Sequence, residues 1–354
     1  MAGGTHDGSA VYAQMPRLLV SAAEPSGDLL ASELVAGLRD WEMAGLAGPR
    51  MRAAGVRPLA RTEDVSVMGI VELLSRLGDV RRVRAVLEAA IDSGEYACFV
   101  GVDAPELHLP LARRARARGM RAIGFVSPQV WAWRPGRVTA IGEAYEAVLC
   151  LFDFEPALYA ETPVDARWVG HPVVDRMPPR GVVDPHLFAL LPGSRRQEVE
   201  RLWPVFRQVA DRVRAQVDAR FRVVVPDWIS LEAPGMEVVH STGSLASARA
   251  ALTKSGTVTL ELAVMGVPQV VAHQVHFVTY AIGRQLVKGV EHVAMPNVLA
   301  RREVVPEFLQ DLDPDTLATA LLALPEVQPV DLTALGEKGA AHRAATAIRE
   351  ILGG

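Results

Sequence analysis

At 354 residues, with 50% hydrophobic content, the chain is long enough for about two domains and apolar enough for two sizeable cores. Its 37 basic and 41 acidic residues leave a net charge of −4, which gives no overall electrostatic footprint for nucleic acid. No apolar run approaches a membrane span, and Met1 to Gln14 lacks both the basic and the apolar region of a signal peptide. Residues 1–15 therefore read as a disordered leader, with structure starting near Pro16. Cys98 and Cys150 stand far apart with no CxxC or Cys/His spacing, so they read as buried thiols rather than a disulfide or zinc site, and a reducing cytoplasm fits.

Arg17 to Ala22 reads as a buried strand, followed by the turn Glu24-Pro25-Ser26-Gly27-Asp28 and a helix from Leu29 to about Asp40. Only Gly27 stands where a dinucleotide fold wants several glycines, which removes a nicotinamide cofactor. The turn offers the carboxylates Glu24 and Asp28 and the hydroxyl Ser26 at a strand's carboxyl end, where open α/β sheets bind ligands; alternatively Ser26 or Asp28 caps the helix. From Val65 to Val86, Val67, Ile70, Val71 and Leu74 share one helical face, Met68 and Leu73 widen it, and Arg76, Arg81, Arg82 and Arg84 follow. That pattern fits a helix at a membrane interface, and it equally fits core packing.

Cys98 to Val102 is a strand ending in Asp103-Ala104-Pro105-Glu106. A carboxylate held there can take a proton from an attacking sugar hydroxyl, although Asp103 before Pro105 also fits a helix N-cap. Ile123 to Val126 is another strand, ending in Ser127-Pro128-Gln129-Val130-Trp131-Ala132-Trp133-Arg134; the two tryptophans with Arg134 and Arg137 can hold sugar faces, acyl chains or phosphate, or pack in a core. A linker around Asp175 to Asp184 precedes a second α/β unit whose first strand is Phe188 to Leu191. Pro192-Gly193-Ser194-Arg195 then leads into a helix, and Ser194-Arg195-Arg196-Gln197 fits a capping box.

The stretch from Ala250 to Gln310 has the order of residue types that a nucleotide-diphosphate donor needs. Ala250 to Leu252 gives a strand, Lys254-Ser255-Gly256-Thr257 a turn, and Val258 to Met265 a helix closed by Gly266 and Pro268, before a second apolar run from Gln269 to Ala272. Unpartnered N–H groups at the helix start can hold a pyrophosphate, and Glu261, one turn on, can accept from two ribose hydroxyls. An ordinary strand–helix–strand unit with a Thr cap is the alternative.

Taken together, Ala23-Glu24-Pro25-Ser26-Gly27-Asp28, Val67-Met68-Gly69-Ile70-Val71-Glu72, Gly101-Val102-Asp103-Ala104-Pro105, Val126 to Arg134, Gly170-His171-Pro172, Leu191-Pro192-Gly193-Ser194-Arg195, Ser255-Gly256-Thr257 with Glu261, and Met295-Pro296-Asn297 through Gln310 resemble the lipid-A-disaccharide synthase family in content and in order. The resemblance spans roughly Pro16 to Leu324. It implies a GT-B glycosyltransferase of α/β class, with two Rossmann-like domains facing across a cleft: an acceptor domain over 16–175, a UDP-sugar donor domain over 185–325, and a C-terminal helix from Asp331 to Leu352 able to pack back on the first domain.

What the resemblance further implies is an inverting single displacement that joins UDP-2,3-diacylglucosamine to 2,3-diacylglucosamine 1-phosphate through a β-1,6 bond and releases UDP. Asp103 would be the base. Arg195, with Ser194, Ser255, Gly256, Thr257, Glu261, Asn297 and Glu303, would serve the donor side. Glu24, Ser26, Trp131, Trp133 and Arg134 would face the acceptor or the cleft, with no metal and no cofactor required. Cytoplasmic location, with peripheral contact at the inner membrane and no nucleic-acid partner, follows from the same reading. Three departures stand out. Glu106-Leu107-His108 replaces the family's aspartate, aromatic and asparagine, which bears on acceptor contacts rather than on the base; Lys254 and Arg301 replace a small residue and a glycine, adding positive charge near the donor site; and Val225 to Ser247 is short. A changed acceptor, a UDP-sugar epimerase and a non-catalytic nucleotide-sugar-binding protein are the rival readings.

Overall fold

The computed structural model describes residues 16–65, 77–128, 136–274 and 292–353. Among the described residues, thirteen strands lie in two sheets. The first is parallel throughout, in the order β3-β2-β1-β4-β5-β6-β7, from β1 (Arg17–Ala22), β2 (Glu42–Ala47), β3 (Arg57–Arg61), β4 (Cys98–Val102), β5 (Arg121–Phe125), β6 (Ala147–Cys150) and β7 (Asp165–Trp168). The second, also parallel, runs β10-β9-β8-β11-β12-β13, from β8 (Asp184–Leu191), β9 (Arg220–Val224), β10 (Glu237–Val239), β11 (Ala248–Lys254), β12 (Gln269–His273) and β13 (Glu307–Leu309). Parallel strands require covered faces, and the near-continuous apolar runs of β1, β4 and β6 meet that demand.

The covering helices, in chain order, are α1 (Pro25–Ala36), α2 (Pro49–Ala53), α3 (Leu77–Asp92), α4 (Pro105–Ala117), α5 (Arg137–Ala144), α6 (Val173–Arg176), α7 (Arg196–Arg214), α8 (Val258–Met265), α9 (Met295–Ala300), α10 (Pro314–Leu322) and α11 (Ala340–Leu352). Leu34, Val35, Ile348 and Ile351 join Leu18, Val20 and Val100 on one face of the first sheet, while Leu87, Leu111 and Ile141 join Leu19 and Phe99 on the other. The second sheet is sandwiched likewise, with Phe206, Val209 and Leu317 on one face and Leu262 and Met265 on the other.

Local chemistry moves several boundaries from their expected places. Pro25 occupies the first helical position, where its missing N–H has no partner to lose, so α1 starts four residues before Leu29 and ends at Ala36. The C-terminal helix begins at Ala340 rather than Asp331, because Gly336 and Gly339 both take positive φ and break the 3₁₀ turn Thr333–Leu335 away from α11. That helix lies against α1: Arg349 donates to Asp40 at 2.6 and 2.7 Å and sits 5.6 Å over the Trp41 ring, and Arg121 reaches the Ile351 carbonyl. Gly37 leaves little room at this seam, since an added Cβ would stand 2.8 Å from the Ala345 Cβ. Gly37→Ala is therefore expected to overpack this seam and lose about 1–3 kcal/mol in urea unfolding, part of which Ala345→Gly should restore in the double variant.

Among the described residues, no helix is long and apolar enough to cross a membrane. The proposed interfacial face at Val67, Met68, Ile70, Val71, Leu73 and Leu74, with Arg76, lies outside the described residues. Arg81, Arg82 and Arg84 are exposed on α3, where Arg82 pairs with Asp79 and Arg84 with Glu88.

Candidate active site

Strand order decides where a ligand can enter. β1 and β4 are neighbours, but β1 leads outward to β2 and β4 leads the other way to β5, so the loops at their carboxyl ends diverge and leave a crevice. In the second sheet β8 and β11 form the equivalent divergence. The sequence-derived residues fall at these two places. Glu24 and Ser26 follow β1, Asp103 follows β4, Ser194 and Arg195 follow β8, and Ser255, Gly256 and Thr257 follow β11.

The two crevices face each other. Arg195 Nη2 lies 4.0 Å from Glu24 Oε2 across the gap, with both side chains about half exposed. Glu24 in turn acts electrostatically on Asp103. Burial is the main influence that pushes the Asp103 carboxyl above its ordinary range; the Ala104 backbone N–H opposes it, and the charges of Glu24 and Glu106 add to the rise. Asp103 is thus a partly buried carboxyl that burial and neighbouring charge make easier to protonate.

Backbone strain marks the same spot. Asp103 (φ 51°), Ala104 (φ 46°) and Val126 (φ 77°) are left-handed at the ends of the adjacent strands β4 and β5. For non-glycine residues this conformation costs about 1–2 kcal/mol each, and for a β-branched valine it is a genuine outlier. Ladder hydrogen bonds carried one residue past each strand hold it: Asp103 N–H donates to the Phe125 carbonyl and Val126 N–H to the Leu149 carbonyl, each at 3.0 Å. Ser127, next in the chain, meets the Tyr159 hydroxyl at 2.9 Å. Asp103 is not the cap of α4; Ala104 holds the N-cap position, and its left-handed turn separates Asp103 from the helix.

Across the cleft, α8 starts at Val258 with Thr257 exposed at its N-cap. Space over Gly256 is open, since an added Cβ would meet no atom within 4 Å, so a ligand's phosphates can approach this backbone closely. Glu261, half-buried in the first turn, projects from the same end. The hydroxyl of Ser255 donates to the Val293 carbonyl at 2.7 Å and pins the turn, which leaves the backbone of Ser255 rather than its side chain for a ligand.

The β8–α7 loop differs from its expected form. The N-cap is Arg195, one residue later than the Ser194 box predicts, and the reciprocal carboxylate is Glu198. Glu198 Oε2 accepts from the N–H groups of Ser194 (3.1 Å) and Arg195 (3.3 Å), while Oε1 takes Lys254 Nζ at 3.0 Å. Gly193 is required here, because a Cβ would lie 2.6 Å from the Glu198 Cβ. This helix start already holds an anion, and Lys254 neutralises that anion instead of adding free positive charge to the donor site. Of the two groups, Arg195 is the exposed one, with 55% of its side chain accessible against 22% for Lys254.

Other site residues divide between wall and frame. Asn297 is fully buried and its amide is saturated: Nδ2 donates to the Val305 carbonyl and Glu307 Oε1, and Oδ1 accepts from the N–H groups of Val304 and Val305. Its side chain holds the loop before β13 in shape, so the donor-side contribution expected of it can come only from the loop that it positions. Glu307 completes this frame by accepting from the N–H groups of Val293 and Ala294. Glu303 and Arg301 are exposed on the same loop, and Arg301 is left-handed (φ 52°), the conformation that a glycine there would adopt without strain. Ser26 and Ser194 are exposed at their helix starts. Arg137 pairs with Glu106 at 2.8 Å. Trp131, Trp133 and Arg134 lie outside the described residues.

Two side chains prove different from their sequence reading. Asp28 is buried and caps α2, accepting from Arg50 N–H at 2.9 Å and Met51 N–H at 3.0 Å, so it is no cleft carboxylate. His108 is fully buried, with Nδ1 2.6 Å from the Asp103 carbonyl oxygen, so its side chain is not exposed to the cleft as an acceptor contact would need. Glu198 and Glu307 went unread in the sequence. For Glu198 alone there was a usable signal, its position three residues after Arg195.

A family model described as lipid-A-disaccharide synthetase matches residues 18–326. The chain is 35% identical to a lipid-A-disaccharide synthase of Anaeromyxobacter dehalogenans over 95% of this chain and 92% of that protein, and 38% identical to one of Azotobacter vinelandii over 88% and 90%. Among solved structures, a UDP-GlcNAc 2-epimerase of Methanocaldococcus jannaschii superposes with a TM-score of 0.59 at 11% identity, covering 96% of this chain and 100% of that one. The calicheamicin glycosyltransferase CalG4 gives 0.54 at 17%, covering 96% and 94%. These two show the fold alone, two Rossmann-like domains in the GT-B arrangement.

Proposed function

The chain belongs to the lipid-A-disaccharide synthase family, and on that premise we propose that it joins UDP-2,3-diacylglucosamine to 2,3-diacylglucosamine 1-phosphate through a β-1,6 bond, releasing UDP. The acceptor's 6-oxygen attacks the donor's anomeric carbon from the side of the first domain while its proton passes to the Asp103 carboxylate. The bond from that carbon to the phosphate oxygen breaks on the opposite side and its electron pair leaves with UDP. Negative charge then grows on the diphosphate, where Arg195 and the N–H groups at the start of α8 receive it. Glu261 takes the ribose hydroxyls. Glu303 and Arg301 line the donor end of the cleft, and Asn297 keeps their loop in place. Glu24 and Ser26 face the incoming acceptor, with Trp131, Trp133 and Arg134 assigned to the same side on their motif. Because both substrates carry acyl chains, the enzyme works at the cytoplasmic face of the inner membrane as a peripheral protein.

The observation that supports this reading most is the 4.0 Å approach of Glu24 to Arg195, which sets the acceptor-side crevice with its buried base against the donor-side crevice. An epimerase needs no acceptor hydroxyl and so gives a base on that wall no such substrate to deprotonate. The test is incubation of purified protein with both lipids, following disaccharide by mass and UDP release in parallel. Disaccharide supports the assignment. UDP binding without disaccharide rejects the acceptor, and conversion of UDP-sugar with no acceptor present favours the epimerase.

Glu261→Ala is expected to weaken UDP binding about tenfold, the value of one or two hydrogen bonds to a charged group. Isothermal titration with UDP and 2′-deoxy-UDP isolates the contact: the variant should lose most of the wild type's discrimination between them. Equal discrimination in both proteins removes Glu261 from the ribose.

A further inference from the structure

We propose that His108 is the positioning residue for the base, a neutral imidazole that ties the Asp103 backbone to β1 and so fixes where the Asp103 carboxylate points. The proposal rests on the role given to Asp103 above. His108 Nδ1 lies 2.6 Å from the Asp103 carbonyl oxygen, and Nε2 lies 2.9 Å from Ser21 Oγ, with both side chains fully buried. Since a carbonyl only accepts, Nδ1 carries the proton, and Nε2 is then the acceptor of the Ser21 hydroxyl. The imidazole therefore works as a strut with a defined tautomer, one end on the central strand β1 and the other on the left-handed turn after β4.

Its surroundings are shaped for it. A Cβ on Gly101 would stand 3.0 Å from the His108 Cβ, 3.2 Å from its Cγ and 2.8 Å from the Tyr145 hydroxyl, so the glycine in β4 makes the slot that the ring fills. Phe99 meets the ring edge-on at 6.0 Å. Burial drives the imidazole pKa down to about 4, with the bond to Asp103 opposing, so the ring stays neutral at neutral pH. Two adjacent residues, Asp103 and Ala104, hold left-handed backbone, and such strain persists only where the surroundings over-determine it. The bond from His108 reaches the carbonyl between those two residues, the atom whose direction sets both turns.

A base displaced by about 1 Å loses on the order of 10²-fold in rate, which makes the strut visible in turnover. The test compares His108→Asn with His108→Phe, because asparagine can place an amide N–H where Nδ1 stands and phenylalanine fills the slot without a donor. His108→Phe is expected to lower kcat about tenfold to a hundredfold while UDP affinity and donor KM stay at the wild-type value, and His108→Asn is expected to recover most of that loss. Ser21→Ala, which removes only the far anchor, should lower kcat by less and covers the case in which the phenylalanine variant does not fold. Full kcat in folded His108→Phe overturns the proposal, and so does an asparagine variant as slow as the phenylalanine one. A nitrogen NMR spectrum of the wild type gives a reading independent of turnover. A neutral imidazole protonated at Nδ1 at pH 7 is expected, and the opposite tautomer or an imidazolium overturns the strut. Absence of disaccharide from the wild type with that tautomer present would fault the assigned reaction and leave the strut standing.

Discussion

Asp103→Asn is expected to abolish disaccharide formation, lowering kcat by about 10²- to 10⁴-fold, and at the same time to raise the melting temperature at pH 7. The substitution isolates charge, because asparagine is among the non-glycine residues best tolerated at positive φ and Asp103 sits at φ 51°. Loss of activity follows from loss of the only atom proposed to accept the acceptor's proton. The gain in stability follows from the displaced pKa. The Asp103 carboxyl protonates more readily in the folded chain than in the unfolded one, mainly because burial disfavours the anion. Between the ordinary aspartate value near 3.8 and the higher folded value, the folded state therefore binds more protons, and stability falls as pH rises through that window. Above it the wild type carries the full penalty of a buried anion, and the amide removes it. A rise of about 2 °C or more is expected near neutrality, shrinking as pH falls through that window toward the ordinary aspartate value. Calorimetry on both proteins across pH 3.5 to 8 checks the sign. In the pH–rate profile the acid limb should lie above the ordinary carboxylate range and move down in Glu24→Gln, since Glu24 is one of the charges that raise it. An active Asp103→Asn protein, or one less stable at neutral pH, contradicts the role assigned to this residue.

Parts of this architecture could be read directly from residue order. The unit from β11 through α8 to β12 was legible because each boundary carries its own chemistry: an apolar run, a Ser-Gly-Thr turn, Gly266 in the left-handed C-cap and Pro268 beyond it. Cys98 and Cys150 are free and buried as expected. Misreadings arose where a partner far along the chain decides a side chain's role. Asp28 has the look of a ligand carboxylate, yet its partners are the N–H groups of Arg50 and Met51. Asn297 lies in a motif associated with the donor, but its hydrogen bonds lead to residues 304, 305 and 307. Lys254 looks like spare positive charge until Glu198 appears beside it. The capping box slipped by one residue because Ser194 and Arg195 both precede a carboxylate or amide at a plausible distance, and only backbone geometry separates them. His108 is the hardest case, since nothing local distinguishes a core histidine from one that holds a base, and its second partner, Ser21, is 87 residues away.

Arg195→Ala is expected to lower kcat by about 10²- to 10³-fold, the loss seen when a donor aimed at developing negative charge is removed, whereas Lys254→Ala should leave turnover within about threefold of the wild type and act mainly on stability. The contrast follows from what each cation already does. Lys254 is paired with Glu198, and burial of that carboxylate, which alone would raise its pKa, is outweighed by Lys254, the Ser194 N–H and Arg195. Removing Lys254 leaves Glu198 at a helix start with one fewer counter-charge, a cost borne by the fold. Arg195 is about half exposed and, among the described residues, has only looser pairings, at 4.0 Å to Glu24 and 3.9 Å to Glu198, so an incoming diphosphate can take its guanidinium without breaking a buried ion pair. Arg195→Lys should recover only part of the rate, because an ammonium cannot present two parallel N–H groups to a phosphate. Steady-state kinetics on the three variants, with folding checked by calorimetry, separates the roles. A severe loss in Lys254→Ala beside a mild one in Arg195→Ala would transfer the leaving-group role to Lys254 and make Arg195 a partner of Glu24 alone.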